Sequence, residues 1–169
     1  MKRFAILACA VLALAACHPK AGAAHKAGAP AAQSEQSKAF MAKTAKEPGV
    51  VTLPNGLEYK IIRSGPTTGL KPHLQDEVKI MYEGKLIDGT VFDSSYERGQ
   101  PAAFPLKHLV LAWQQALPLM RPGDEWILYV PPKLGYGNEG NEKIPPGSAL
   151  IFRIELIDVL PGPGTIQAG

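Results

Sequence analysis

The residues of this chain that could do chemistry are few and mostly of one kind. There is no G-x-S-x-G for acyl transfer and no glycine-rich phosphate loop ending in Lys-Ser/Thr. His18, His25, His73 and His108 lie too far apart for metal-ligand spacing, and none stands with a plausible nucleophile. What the chain concentrates instead is aromatic and apolar side chains beside turns: Tyr82, Phe92, Trp113, Tyr136, Ile144 and Phe152. One acid, Asp93, directly follows Phe92. Each has a plainer reading. Trp113 and Phe152 could be core filling, since aromatics gain mostly through buried area. Asp93 could cap a turn, and Tyr136, between two glycines, could be a surface aromatic.

The elements that must position these residues are strands and one helix. VVTL and LEYKIIRSG flank Pro54-Asn55-Gly56, a turn signal. In DEVKIMYEGKLI, Val78, Ile80 and Tyr82 alternate with Lys79, Met81 and Glu83. Asp88-Gly89 marks a tight turn before TVFDSS. EWILYVP and SALIFRIELIDVL supply two further strands, the second with Leu150, Phe152, Ile154 and Leu156 on one side. Between TVFDSS and EWILYVP, LKHLVLAWQQAL (106–117) predicts an amphipathic helix of about three turns at ~100° per residue. Leu106, Leu109, Val110, Trp113, Ala116 and Leu117 share its apolar face, and Pro118 helps to end it. One helix among five or six antiparallel strands makes an α+β domain, the apolar stripe packing on one face of the sheet.

The 169 residues allow one ordinary domain plus extensions, and 46% hydrophobic with 20% charged residues is a globular composition. The net charge of +3 is unevenly placed. Seven of the eighteen Lys and Arg, but two of the fifteen acids, lie in residues 1–47, which leaves eleven basic against thirteen acidic residues in the rest. A nucleic-acid partner needs a basic face on the domain itself, so none is expected.

The first residues read as a targeting signal: Lys2 and Arg3, then an apolar run too short and wrongly flanked to span a membrane. Leu14-Ala15-Ala16-Cys17 resembles a bacterial lipobox, which implies cleavage before Cys17 and its acylation. The alternative is an ordinary secretory signal and a soluble periplasmic protein. Loss of Cys9 with the signal leaves Cys17 alone, so no intramolecular disulfide is expected. His18 follows Cys17 in place of the aspartate that commonly retains bacterial lipoproteins in the inner membrane. The expectation is an outer-membrane lipoprotein facing the periplasm. Residues 1–16 are thus a signal peptide, 17–33 a flexible tether, 34–47 a short helical segment ended by Pro48-Gly49, 48–160 the folded domain, and 161–169 a frayed tail.

Two longer runs resemble one family. YEGKLIDGTVFDSS is similar to the Y-x-G-x-L-x-x-G-x-x-F-D-S-S run of FKBP-type peptidyl-prolyl isomerases, and LGYGNEG...IPPGSALIFRIEL to that family's later run. The tryptophan helix lies between them, and VVTLPNGLEYKIIRSG resembles the start of the bacterial, Mip-like branch; together the match covers about residues 47–159. The resemblance implies a curved antiparallel sheet wrapped on one short helix. It implies a proline pocket floored by Trp113 and lined by Tyr82, Phe92, Leu109, Val110, Tyr136 and Phe152. Asp93 would sit at its edge, Ile144 would contribute from the loop, and Tyr136 would offer its hydroxyl to the substrate carbonyl.

The implied activity is cis-trans isomerisation of X-Pro bonds, which accounts for the missing nucleophile. Twisting the amide costs ~18–20 kcal/mol because it removes C–N double-bond character. Water stabilises the planar amide more than the twisted one, so a dry aromatic pocket narrows the difference, and a tenfold gain needs only ~1.4 kcal/mol. No cofactor, metal or proton transfer is required. The implied partners are proline-containing unfolded polypeptides, macrolides such as rapamycin, and a membrane through the lipid anchor. The alternative within the family is a chaperone or binding module with little isomerase activity. Three departures bear on substrate and macrolide preference: Ala102 where many relatives have an aromatic, Leu111-Ala112 where this branch commonly has Pro-Gly, and the short polar Asn141-Glu142-Lys143. Residues 34–47 are too short for the long dimerisation helix of Mip-like relatives, so a monomer is expected.

Overall fold

A computed structural model of the chain describes residues 30–162. The expectations for the signal peptide, for Cys17 and for the last residues of the tail lie outside them. The described part opens with α1 (Pro30–Thr44). This helix is longer at its start than the expected 34–47, and it takes over the last residues assigned to the tether. A proline is well placed at a helix start, where its missing N–H costs nothing. The buried face of α1 runs through Ser37, Phe40, Met41 and Thr44, while Ala39 faces out. Two of those positions are polar, and both are satisfied. Ser37 bonds to the backbone at 147 and 149, and Thr44 Oγ1 donates to Glu58 Oε2 at 2.5 Å.

Seven antiparallel strands follow: β1 (Val50–Thr52), β2 (Glu58–Arg63), β3 (Glu77–Leu86), β4 (Val91–Ser94), β5 (Ala102–Pro105), β6 (Glu125–Val130) and β7 (Leu150–Leu160). They form one sheet in the order β1-β2-β6-β7-β3-β4, with β5 also on β3. That is one strand more than the upper expectation of six. The addition is β5, whose Ala-Ala core and flanking prolines carry little strand propensity. Pairing imposes it: Val78 opposes Phe104 and Ile80 opposes Ala102. Strand β3 is therefore shared along one edge, its first half by β5 and its second half by β4. Register shifts at Lys79/Ile80 and Gly84/Lys85 mark bulges, which bend a sheet.

The alternation read in β3 holds, with Val78, Ile80, Tyr82, Gly84 and Leu86 all buried. They share this face of the sheet with Leu128, Ile154 and Leu156 of the central strands, each fully buried. The helix packs on this face but is not three turns long. Residues Leu106–His108 form a 3-10 turn, and α2 spans only Leu111–Ala116 before a second 3-10 turn at Leu117–Leu119. Leu109 and Val110 between them are extended, at φ −83°, ψ 169° and φ −60°, ψ 150°. The Gln114 side chain stabilises this break, donating to the carbonyls of Lys107 (3.2 Å) and Leu109 (2.7 Å).

Candidate functional site

Strands β3 and β4, the extended pair before α2, and the loop between β6 and β7 converge on one cavity of about 480 Å³. That size lies within the usual range for small-ligand pockets. All nine residues expected of a pocket line it: Tyr82, Phe92, Asp93, Leu109, Val110, Trp113, Tyr136, Ile144 and Phe152. Phe104, His108, Asn141 and Lys143 line it as well and were not anticipated.

Five rings make the apolar wall. Trp113, 4% exposed, lies edge-on to Tyr82 (5.3 Å, 77°) and to Phe152 (5.1 Å, 82°). Phe152 meets Phe92 edge-on at 5.7 Å, and Tyr82 meets Phe104 at 6.1 Å. Such T-shaped pairs set a ring's positive edge against its neighbour's negative face, about 0.5–1.5 kcal/mol each beyond burial. The array requires a glycine beside it. A Cβ on Gly84 would lie 2.6 Å from the Phe92 ring and 2.9 Å from the Phe152 ring.

Phe92 and Asp93 are placed by the β3–β4 hairpin. Gly89 takes φ +89°, open to glycine at no steric cost, and Asp88 Oδ1 accepts the Thr90 N–H at 2.9 Å. On the ladder Asp93 pairs with Gly84, which brings its carboxylate back to Tyr82. Tyr82 Oη donates to Asp93 Oδ2 at 2.5 Å, while Arg98 donates to Asp93 Oδ1 (2.5 Å) and to Tyr82 Oη (2.9 Å). Burial alone would raise the Asp93 pKa. The hydrogen bonds from Tyr82 and Arg98 and the guanidinium charge outweigh it and hold the carboxyl below its ordinary range. Burial and the bond to Asp93 push the Tyr82 phenol up. Arg98 was missed because nothing in the sequence links it to Asp93 five residues earlier across an irregular turn.

The other rim is the loop after β6. Asn141 organises it: its Oδ1 accepts the N–H groups of Lys143 and Ile144, both at 2.9 Å, and its own N–H reaches Ile144 O at 2.9 Å. Ile144 is thereby buried at 1% exposure against the pocket. Lys143 Nζ crosses to the Phe92 carbonyl at 3.3 Å. Tyr136 is 37% exposed, and burial, then the Asp93 charge, raises its phenol pKa. Among the described residues no three His, Cys, Asp or Glu side chains gather in a metal-binding arrangement. No described helix is long and apolar enough to cross a membrane.

Comparison with known proteins identifies the family. Residues 69–157 match the family of FKBP-type peptidyl-prolyl cis-trans isomerases, and residues 11–61 match the domain amino-terminal to it. The chain is 54% identical over 127 residues to the peptidyl-prolyl cis-trans isomerase Mip of Coxiella burnetii, covering 75% of this chain and 54% of the relative. It is 44% identical over 132 residues to the outer membrane protein MIP of Legionella longbeachae, covering 75% and 56%. The chain thus spans a little over half the length of these relatives. In three dimensions it is similar to the crystal structure of FkpA from Escherichia coli, with TM-score 0.76 and 40% identity over 79% of this chain and 62% of that one. A match to the family through residues 69–157, more than half of the chain, makes it a member of the FKBP-type peptidyl-prolyl cis-trans isomerase family.

Proposed function

We propose that the chain is a cofactor-independent peptidyl-prolyl cis-trans isomerase acting on proline-containing unfolded polypeptides. The observation that carries this reading is the cavity lined by edge-to-face aromatic rings, with Trp113 between Tyr82 and Phe152. A prolyl ring is apolar, compact and unable to donate a backbone hydrogen bond, so it suits such a site. In this reading Trp113, Phe92, Phe152, Leu109, Val110 and Ile144 hold the ring out of water. Tyr136 presents its hydroxyl to the carbonyl of the residue before proline. The raised phenol keeps that hydroxyl a donor throughout the neutral range. The Tyr82–Asp93–Arg98 cluster fixes the β3–β4 edge and supplies a polar margin to the pocket. Rate comes from binding the twisted amide better than the planar one, with no proton transferred.

The finer placement follows the leader. Cys17 carries the lipid, the small-residue segment after it tethers the domain, and the domain works as a monomer on the periplasmic side of the outer membrane. The Legionella longbeachae relative, an outer membrane protein by name, supports that location. Macrolides such as rapamycin would compete for the same cavity. A protease-coupled assay of a short X-Pro peptide, run beside an aggregation assay of an unfolded client, separates the two family activities. Isomerase action accelerates the first in proportion to enzyme. Suppression of aggregation with an unaccelerated peptide would establish the chaperone reading instead.

A further inference from the structure

Ser37 lies on α1, far in sequence from the pocket, and is 1% exposed. Its Oγ donates to the Gly147 carbonyl at 2.7 Å and accepts the Ala149 N–H at 2.7 Å. The Gly147 N–H in turn reaches the Gly137 carbonyl at 2.9 Å, and the Gly137 N–H reaches the Pro132 carbonyl at 2.8 Å. Ser37 therefore sits at the closed base of the loop that begins just after Tyr136 and contains Lys143 and Ile144. That loop turns through Gly137 at φ +61° and Gly140 at φ +64°. Glycine loses more backbone freedom on ordering than any other residue, so this segment depends on its anchors.

The seam between α1 and the loop is not filled by packing. A cavity of about 460 Å³ lies along it, lined by Ser37, Met41, Pro132, Gly137 and Asn138 among others. Among the described residues, the two directed bonds of Ser37 are the hydrogen bonds that join α1 to the loop base. Apolar cover would need no serine, whose side chain is a poor choice inside a helix unless it has such partners.

We propose that Ser37 is a positioning residue, through which the N-terminal helix holds the pocket loop in its substrate-binding geometry. This rests on the isomerase reading above. It makes affinity for the proline peptide depend on the Ser37 link to the loop base, although α1 itself touches no part of the pocket.

The test measures kcat and KM for an X-Pro peptide with the full chain and its variants. Ser37→Ala should raise KM about fivefold, the factor for one net hydrogen bond of ~1 kcal/mol, with kcat nearly unchanged. Ser37→Cys keeps the volume with a weaker donor and should fall between. Thr44→Val breaks a separate buried bond of α1, to Glu58, and should lower the melting temperature without moving KM. In an Ile144→Ala background the Ser37→Ala effect on KM should shrink, as expected of coupled sites. An unchanged KM in folded Ser37→Ala or Ser37→Cys overturns the proposal. So does an equal KM rise in Thr44→Val, or full additivity with Ile144→Ala. If the unsubstituted chain fails to turn over the peptide, the isomerase reading fails, and peptide Kd values of the same variants decide the role of Ser37.

Discussion

Tyr82 Oη and Asp93 Oδ2 meet at 2.5 Å across the β3–β4 hairpin, and one guanidinium, Arg98, holds both. The pair joins a carboxylate of the pocket lining to a ring that meets Trp113 edge-on. The folded-state pKa of Asp93 is depressed. Its contribution to stability is therefore complete above the ordinary carboxylate value of ~3.9 and is lost as pH falls below it toward the folded-state value. We predict that the melting temperature of the chain drops through this acid window and that Asp93→Asn drops less there. Parallel curves for the two proteins would show that the cluster adds nothing.

Tyr136 and Phe92 separate hydrogen bonding from dryness. Tyr136→Phe removes one hydroxyl worth ~0.5–1.5 kcal/mol, so kcat/KM should fall about two- to tenfold. Phe92→Ala opens the wall beside Phe152 and should cost more, in a protein whose circular dichroism stays native. Because burial raises the Tyr136 and Tyr82 phenols above their ordinary ~10, kcat/KM should be flat between about pH 7 and 9. A damaged Tyr136→Phe as poor as Phe92→Ala, or a sloping profile in that window, speaks for proton chemistry that the pocket account lacks.

Gly84→Ala should collapse the aromatic array while leaving the hairpin paired. The added methyl has no room beside Phe92 and Phe152, and overpacking costs ~1–3 kcal/mol. Peptide affinity should fall along with stability, and ring-proton shifts of Phe92 and Phe152 should move. Wild-type shifts and affinity in this variant would show that the rings have slack.

How much of this was legible in the sequence differs by element. The pocket residues were readable because aromatic side chains beside turns stood out against a chain with no other chemistry, and because two motif runs fixed their order. The β3 alternation from Val78 to Leu86 was readable because one face is buried and a period of two is unambiguous. Strand β5 was not, since Ala102 and Ala103 between prolines acquire their extended form from pairing with β3. The break at Leu109–Val110 was hidden as well. LKHLVLAWQQAL has no glycine or proline to mark it, and the stripe at helical spacing mixed a 3-10 turn, two extended pocket residues and a short helix. Phe104 was missed along with β5. In the sequence Asn141 and Lys143 stand out only as a polar loop, because an Asx turn that carries an isoleucine into a pocket looks like any other surface turn.

Cys17 should be acylated, and Cys17→Ser should release the protein from membranes. Mass spectrometry of the mature amino terminus measures this directly. The expected species begins at Cys17 with its lipid mass. A free, unmodified terminus beyond Cys17 would instead mark a soluble periplasmic protein.

The central claim is that the Trp113-floored cavity binds proline and speeds rotation about the bond before it. Exchange NMR on an X-Pro peptide with the full chain tests both halves in one sample. Uncatalysed exchange takes tens to hundreds of seconds, too slow for cross-peaks between the cis and trans forms. The account predicts strong exchange cross-peaks at substoichiometric protein, together with intermolecular contacts between the proline ring protons and the Trp113 indole. A folded protein that leaves the peptide at its uncatalysed rate, or that catalyses exchange with the proline nowhere near Trp113, would contradict it.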